Sequence, residues 1–188
     1  MKKQYSLISL SVLLMLAGTS VSHADDGGFF SSFTSFFDRK KEVMPVKNEV
    51  YNEECGDCHF HYQPGFLPEA SWRKLMAAKA LEDHFGENAE LDEDVRSEME
   101  TFLVNHSADK SSFKRSKKVM ASLKDGEAPL RITDVRYIRR KHHEIPEKLI
   151  KQKKVKSLSY CDACHTKADE ANYDDDTVVI PNHGNWTW

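Results

Sequence analysis

Long apolar runs are missing from this sequence of 188 residues. The longest, Leu7–Ala17, falls well short of the roughly 20 residues that a membrane-spanning helix needs. With a mean hydropathy of −0.62, a polytopic membrane protein is excluded. Glycine (8) and proline (6) are too few for a collagen-like repeat. At 39% hydrophobic the chain is too apolar to be disordered throughout. Alternation of the strand type is not evident, so a mainly helical chain with much irregular structure is expected. Methionine is sparse: beyond residue 24 only Met44, Met76, Met99 and Met120 occur. Cysteine is sparser, with four in all.

The first residues are set apart from the rest. Lys2 and Lys3 form a basic start, Leu7–Ala17 a short apolar stretch, and Ser22-His23-Ala24 offers the small residues that a signal peptidase reads. Residues 1–24 are therefore expected to be a cleavable signal peptide and the mature chain to be exported, without a transmembrane span. Cleavage removes two lysines and takes the formal charge from −3 to −5.

All four cysteines fall in two copies of one pattern, Cys55-Gly56-Asp57-Cys58-His59 and Cys161-Asp162-Ala163-Cys164-His165. C-x-x-C-H is the attachment pattern of c-type haem. On a helical turn, positions i, i+3 and i+4 share a face. Two thiols there can each form a thioether to a haem vinyl group, and the following histidine can then reach the iron. A structural zinc site would bring two C-x-x-C units within roughly 15–20 residues, whereas Cys58 and Cys161 are 103 positions apart. Disulfides suit an exported protein but give no reason for a histidine after each pair. A thioredoxin-type pair would need a βαβ context, which is not seen. Two covalently bound haem c groups are the expected cofactors, attached through Cys55, Cys58, Cys161 and Cys164, with His59 and His165 as proximal iron ligands.

Asp25–Glu49 is a lead-in whose Phe29, Phe30, Phe33, Phe36 and Phe37 share a helical face. An interfacial helix and a short cover packed on the protein both fit, and the cover is the commoner arrangement. After a turn-rich passage, His61–Pro68, a helix is expected from Glu69 to Phe85, ending at Gly86. Trp72, Met76, Ala80 and His84 recur every four residues along it. A second helix is expected from Asp92 to about Asn105, with Val95, Met99, Phe102, Leu103 and His106 on its buried side. His84 and His106 thus both face inward, and periodicity does not choose between them. Lys110–Pro129 is basic and polar and marks a boundary. Leu130–Ile138 suits a short strand or irregular chain, and Pro146 starts a new segment. These divisions give a signal peptide (1–24), a Phe-rich lead-in (25–49), an N-terminal haem domain (50–109), a basic linker (110–129) and a C-terminal haem domain (130–188).

Charge is unevenly spread. Glu82–Glu100 holds nine acidic residues against one basic, and Lys110–Lys156 holds sixteen basic against five acidic. Such polarity suits electrostatic docking of a protein partner, although solvated helix faces look the same. Nucleic acid is not expected, since no recognition motif is present. The sixth iron ligand decides the chemistry, because a filled site transfers electrons and an open one binds ligands. The candidates are His61, His84, His106, His142, His143 and His183. A histidine-rich, methionine-poor set favours two imidazoles per iron. The alternative class is a small haem enzyme or gas sensor with one open or weakly ligated iron.

Several segments resemble the exported diheme cytochrome c (DHC) family. They are Cys55–Phe60, Tyr62-Gln63-Pro64-Gly65, Leu67-Pro68, Ser71-Trp72, Asp83–Glu87, Leu130–Thr133, His142 before Glu144-Ile145-Pro146, and Cys161–His165. The resemblance covers most of Tyr51–Pro181. It implies an N-terminal domain shaped like a small c-type cytochrome, a less regular C-terminal haem domain, and bis-His ligation of both irons. His84 and His142 match the distal ligands, with His143 beside the second. The implied role is periplasmic electron transfer to a redox protein partner, including a cytochrome that can bind oxygen, and not catalysis. The Phe-rich lead-in and the Trp186–Trp188 ending lie outside the resemblance.

Overall fold

Residues 42–186 are described in the computed structural model. The expected signal peptide, the phenylalanines of the lead-in and Trp188 lie outside the described residues. The described residues contain seven helices: α1 (Glu49–Gly56), α2 (Glu69–Leu75), α3 (Ala78–Leu81), α4 (Glu93–Asn105), α5 (Lys114–Ser122), α6 (Arg136–His142) and α7 (Glu147–Ile150). Short 3-10 turns join them, and a minimal antiparallel hairpin closes the chain, β1 (Val179–Ile180) against β2 (Gly184–Asn185). None of the helices among the described residues is long and apolar enough to cross a membrane.

Local signals account for the start of α1 and for α4. The Asn48 side chain accepts from the Tyr51 backbone N–H at 2.9 Å and caps α1. Glu93 and Asp94 occupy the first turn of α4, where the helix dipole favours negative charge. Its inner side buries Met99, Leu103 and Val104. Trp72 anchors α2 by donating its indole N–H to the Pro64 carbonyl at 2.8 Å.

The expected helix over Glu69–Phe85 is broken. Ala77 is extended (ψ 134°) between α2 and α3, and Arg96 of α4 donates to the Met76 carbonyl at 2.8 Å. That tertiary bond satisfies an oxygen the interrupted helix leaves free. After Leu81 the chain folds into a reverse turn, with His84 N–H donating to the Glu87 carbonyl at 2.7 Å. Phe85 (φ 60°) and Gly86 (φ 103°) are its central residues, both left-handed, the pattern of a type I′ turn.

Two further expectations change. Leu130–Ile138 forms no strand; it is a 3-10 turn at Ile132–Asp134 running into α6. The basic stretch after Asp109 contains α5, an amphipathic helix whose Ser116 and Val119 are wholly buried while Lys114, Lys117 and Lys118 face solvent. Its approach to the Pro64–Phe66 turn is tight. A Cβ on Gly65 would lie 2.7 Å from both Ser116 Oγ and a Val43 methyl, so only glycine fits there.

One hydrophobic cluster runs from Val43 through Met99, Leu103, Val119 and Val135 to Tyr173. Each such fully buried side chain contributes roughly 1.5–3 kcal/mol. Inside it Glu42 and Arg115 form a buried ion pair at 2.7 Å. Arg115 also donates to the Tyr137 hydroxyl at 3.2 Å and to the Tyr173 carbonyl, and Glu42 accepts the Tyr173 backbone N–H at 2.8 Å. Burial of this pair is tolerable because its polar atoms are so fully engaged.

Candidate haem-binding sites

The first site is built from the end of α1 and the turn after α3. Cys55 lies in the last turn of α1, half-buried, and Cys58 is exposed just beyond it. Burial, with Glu54 and Cys58 nearby, pushes the Cys55 thiol up to about 11. The reverse turn carries His84 to His59, so that the two rings lie nearly parallel (22°) with centroids 6.4 Å apart. His59 Nδ1 is 2.8 Å from the Phe60 carbonyl. A carbonyl can only accept, so the proton sits on Nδ1 and Nε2 keeps its lone pair for a metal. Burial, then His59 and Arg131, lowers the pKa of His84 and favours the neutral ring.

The second site is more enclosed. Cys161 opens a 3-10 turn, and the His165 N–H donates to the Cys161 carbonyl at 2.8 Å. The motif thus coils on itself as its spacing requires. His142 is the last residue of α6, and its Nδ1 donates to the Ile138 carbonyl at 2.8 Å. The His142 and His165 centroids are 6.0 Å apart at 67°. Burial, with His142 and Arg115 adding to it, pulls His165 down to about 4, and burial also lowers His142. Both rings are neutral and competent as ligands. Burial raises Cys161 to about 12 and raises Cys164 as well.

These four residues share the wall of one apolar cavity, with about 980 Å³ of space including its open mouth. Ile138, Ile145, Leu149, Val155 and Val178 line it. An apolar slot with two thiols on one edge and facing imidazoles fits a flat, greasy macrocycle around a metal. His165 Nδ1 is buried without a hydrogen-bond partner, a cost that protein interiors seldom leave standing.

The remaining histidines are placed elsewhere. His106 Nδ1 donates to the Phe102 carbonyl of its own helix at 2.7 Å. The His143 side chain is 67% exposed, one residue past His142 and turned to solvent. His61 packs on Phe60 and Tyr51, and His183 on Trp186. Sequence reasoning missed Arg115, which lines the second cavity, and Arg131, whose guanidinium lies 3.8 Å above the exposed Phe85 ring. Neither carries a local signal, since their partners are distant in sequence.

A family model described as dihaem cytochrome c matches residues 51–173. The chain belongs to the dihaem cytochrome c family. Among solved structures it is similar to the diheme cytochrome c of Shewanella baltica OS155, at 37% identity over 74% of this chain and 98% of that one, with TM-score 0.60. It is equally similar to the diheme cytochrome c of Rhodobacter sphaeroides, at 37% identity over 69% of this chain and 97% of that one, TM-score 0.60. No curated protein matches the chain. As a dihaem cytochrome c it is a mainly helical electron carrier with two covalently bound haem c groups, and its C-x-x-C pairs are Cys55/Cys58 and Cys161/Cys164. The cysteines are not engaged in disulfides, so all four sulfurs are available for attachment.

Proposed function

We propose that this dihaem cytochrome c is an exported, periplasmic electron carrier whose irons are both bis-His ligated, His59 with His84 and His165 with His142. The observation that carries this is the spacing of the two imidazole pairs. With metal–imidazole bonds of about 2.0 Å and each ring centre roughly 1 Å behind its nitrogen, two imidazoles that held one metal between them would stand about 6 Å apart. The pairs stand 6.4 and 6.0 Å apart.

Haem iron, when bound, supplies a one-electron couple, and two imidazoles keep its potential below that of a His/Met site. The chain's own residues do the rest. The Phe60 and Ile138 carbonyls hold the Nδ1 protons of His59 and His142, which fixes the tautomer and the ring direction. Cys58 and the half-exposed first site bring the redox centre to the surface where a partner can approach. The cavity around His142 and His165 excludes water and keeps the second centre from casual ligands. The partner is a redox protein, including a cytochrome that can bind oxygen, steered by the acidic run on α4 or the basic run on α5–α7. The same apposed rings argue against an enzyme or gas sensor, which needs one open iron.

The test is the ferrous absorption spectrum with and without carbon monoxide. Low-spin bands that carbon monoxide leaves unchanged are expected at both haems. A carbon monoxide shift in the unsubstituted protein would refute bis-His ligation.

A further inference from the structure

We propose that Tyr62 is the residue through which electrons pass between the two haem sites. The proposal rests on the reading above that His59 and His165 are iron ligands. Two contacts meet at this side chain, and a third continues the line to the second site. Its ring stacks on His59, with centroids 5.1 Å apart and planes 30° from parallel. Its hydroxyl donates to the Ser159 carbonyl at 2.7 Å, across 97 positions of sequence. The neighbouring Leu158 carbonyl lies 3.9 Å from Cys161 Sγ. One aromatic side chain, continued by the Leu158–Ser159 backbone, therefore links an imidazole of the first site to the attachment sulfur of the second.

A second branch leaves from the next residue. Gln63 Oε1 accepts from the Tyr173 hydroxyl, and the Tyr173 ring lies 5.2 Å from His165. Gln63 Nε2 also donates to the Ala168 carbonyl at 3.0 Å, three residues past His165. The Tyr62 carbonyl accepts the Tyr51 hydroxyl at 2.6 Å, which fixes the backbone of this node. Electrons cross protein fastest where covalent bonds and short hydrogen bonds replace through-space gaps, and both branches offer such a route. In each exchange one iron is oxidised as the other is reduced, with no bond broken and no proton transferred. Burial pushes ionisation of Tyr62 far above neutral pH, so it serves as a neutral phenol.

The experiment uses the fully loaded protein. Tyr62→Phe keeps the ring on His59 and removes only the hydroxyl bridge, and Tyr62→Leu removes both. After pulsed one-electron reduction, the concentration-independent equilibration between the haems is followed optically, and both reduction potentials and the low-spin spectra are measured alongside. Equilibration is expected to slow several-fold in the Phe variant and further in the Leu variant, with potentials and spectra unmoved. A wild-type rate in the Phe variant overturns the proposal, and so does a slowing fully explained by shifted potentials, which is what a purely structural tie would give. Tyr62→Phe also keeps the question decidable should Tyr62→Leu fail to fold. An iron that binds carbon monoxide in the unsubstituted protein defeats the ligand assignment instead, and that failure is visible before any Tyr62 variant is made.

Discussion

The two sites share one attachment pattern but are built in opposite ways. The first is a surface construction: an exposed Cys58, a histidine on a two-residue turn, and the exposed Phe85 held under Arg131. The second is a cavity, walled by α6, α7 and the closing hairpin, with both histidines largely sequestered. The shared C-x-x-C-H pattern thus fixes how a haem is attached but not how far it is shielded. Shielding comes from whatever chain folds over the other face of the group.

Deleting each attachment separately should break this comparison most visibly. Cys161→Ala with Cys164→Ala removes the filling of an apolar cavity. We expect it to cost at least the ~5 kcal/mol of the largest single side-chain deletions. Cys55→Ala with Cys58→Ala should cost less than half as much, read by chemical denaturation of the two single-haem proteins. Equal losses would mean that the enclosed site is no more dependent on its haem than the open one.

Next in size is the effect on ligand access. His84→Ala and His142→Ala should each give one high-spin iron that binds carbon monoxide. Binding should be markedly faster in the His84 variant, because that site opens directly to solvent. His143→Ala and His106→Ala should leave both irons low-spin. Flash photolysis of the carbonyl adducts measures the contrast.

With two imidazoles at each iron, as proposed above, potential is left to burial and charge. A low-dielectric cavity beside the Arg115 guanidinium disfavours the ferric state, whereas the first site is wetter and has Glu54 close to Cys55. The second haem should therefore have the higher potential, by about 59 mV or more, a tenfold preference for the electron. Redox titration of the single-haem variants assigns the two values. The smallest effect belongs to the first site's rim: Arg131→Gln should cost only about 0.5–1 kcal/mol, as exposed cation–π contacts do. Thermal unfolding can resolve it, and a larger loss would show that the Phe85 turn depends on that cover.

What could be read from the sequence follows the range of the interactions involved. The C-x-x-C-H units, the α4 boundaries and the inward face with Met99 and Leu103 depend on neighbours within a turn or two, and they are legible. A four-residue period along a continuous helix turns His84 inward, without distinguishing it from His106, yet the helix breaks at Met76–Ala77 and a turn does the placing. The cause, Arg96 bonding the Met76 carbonyl, acts across 20 positions and leaves no local trace. The same holds for α5, whose charge reads as a linker while Ser116 and Val119 dock into the core. His142 and His143 are equivalent by composition, and only the phase of α6 separates them.

The Glu42 carboxylate bears on the order in which the molecule is assembled. It bonds Arg115 across 73 positions and the Tyr173 backbone across 131. Closure entropy grows with the logarithm of loop length, each doubling adding about 0.6 kcal/mol, so this clasp is among the slowest contacts to form. It also requires residue 173, which lies beyond both haem motifs in the chain. An emerging polypeptide therefore presents both cysteine pairs before its ends are fastened together. Haem attachment can proceed on open chain, before the clasp closes.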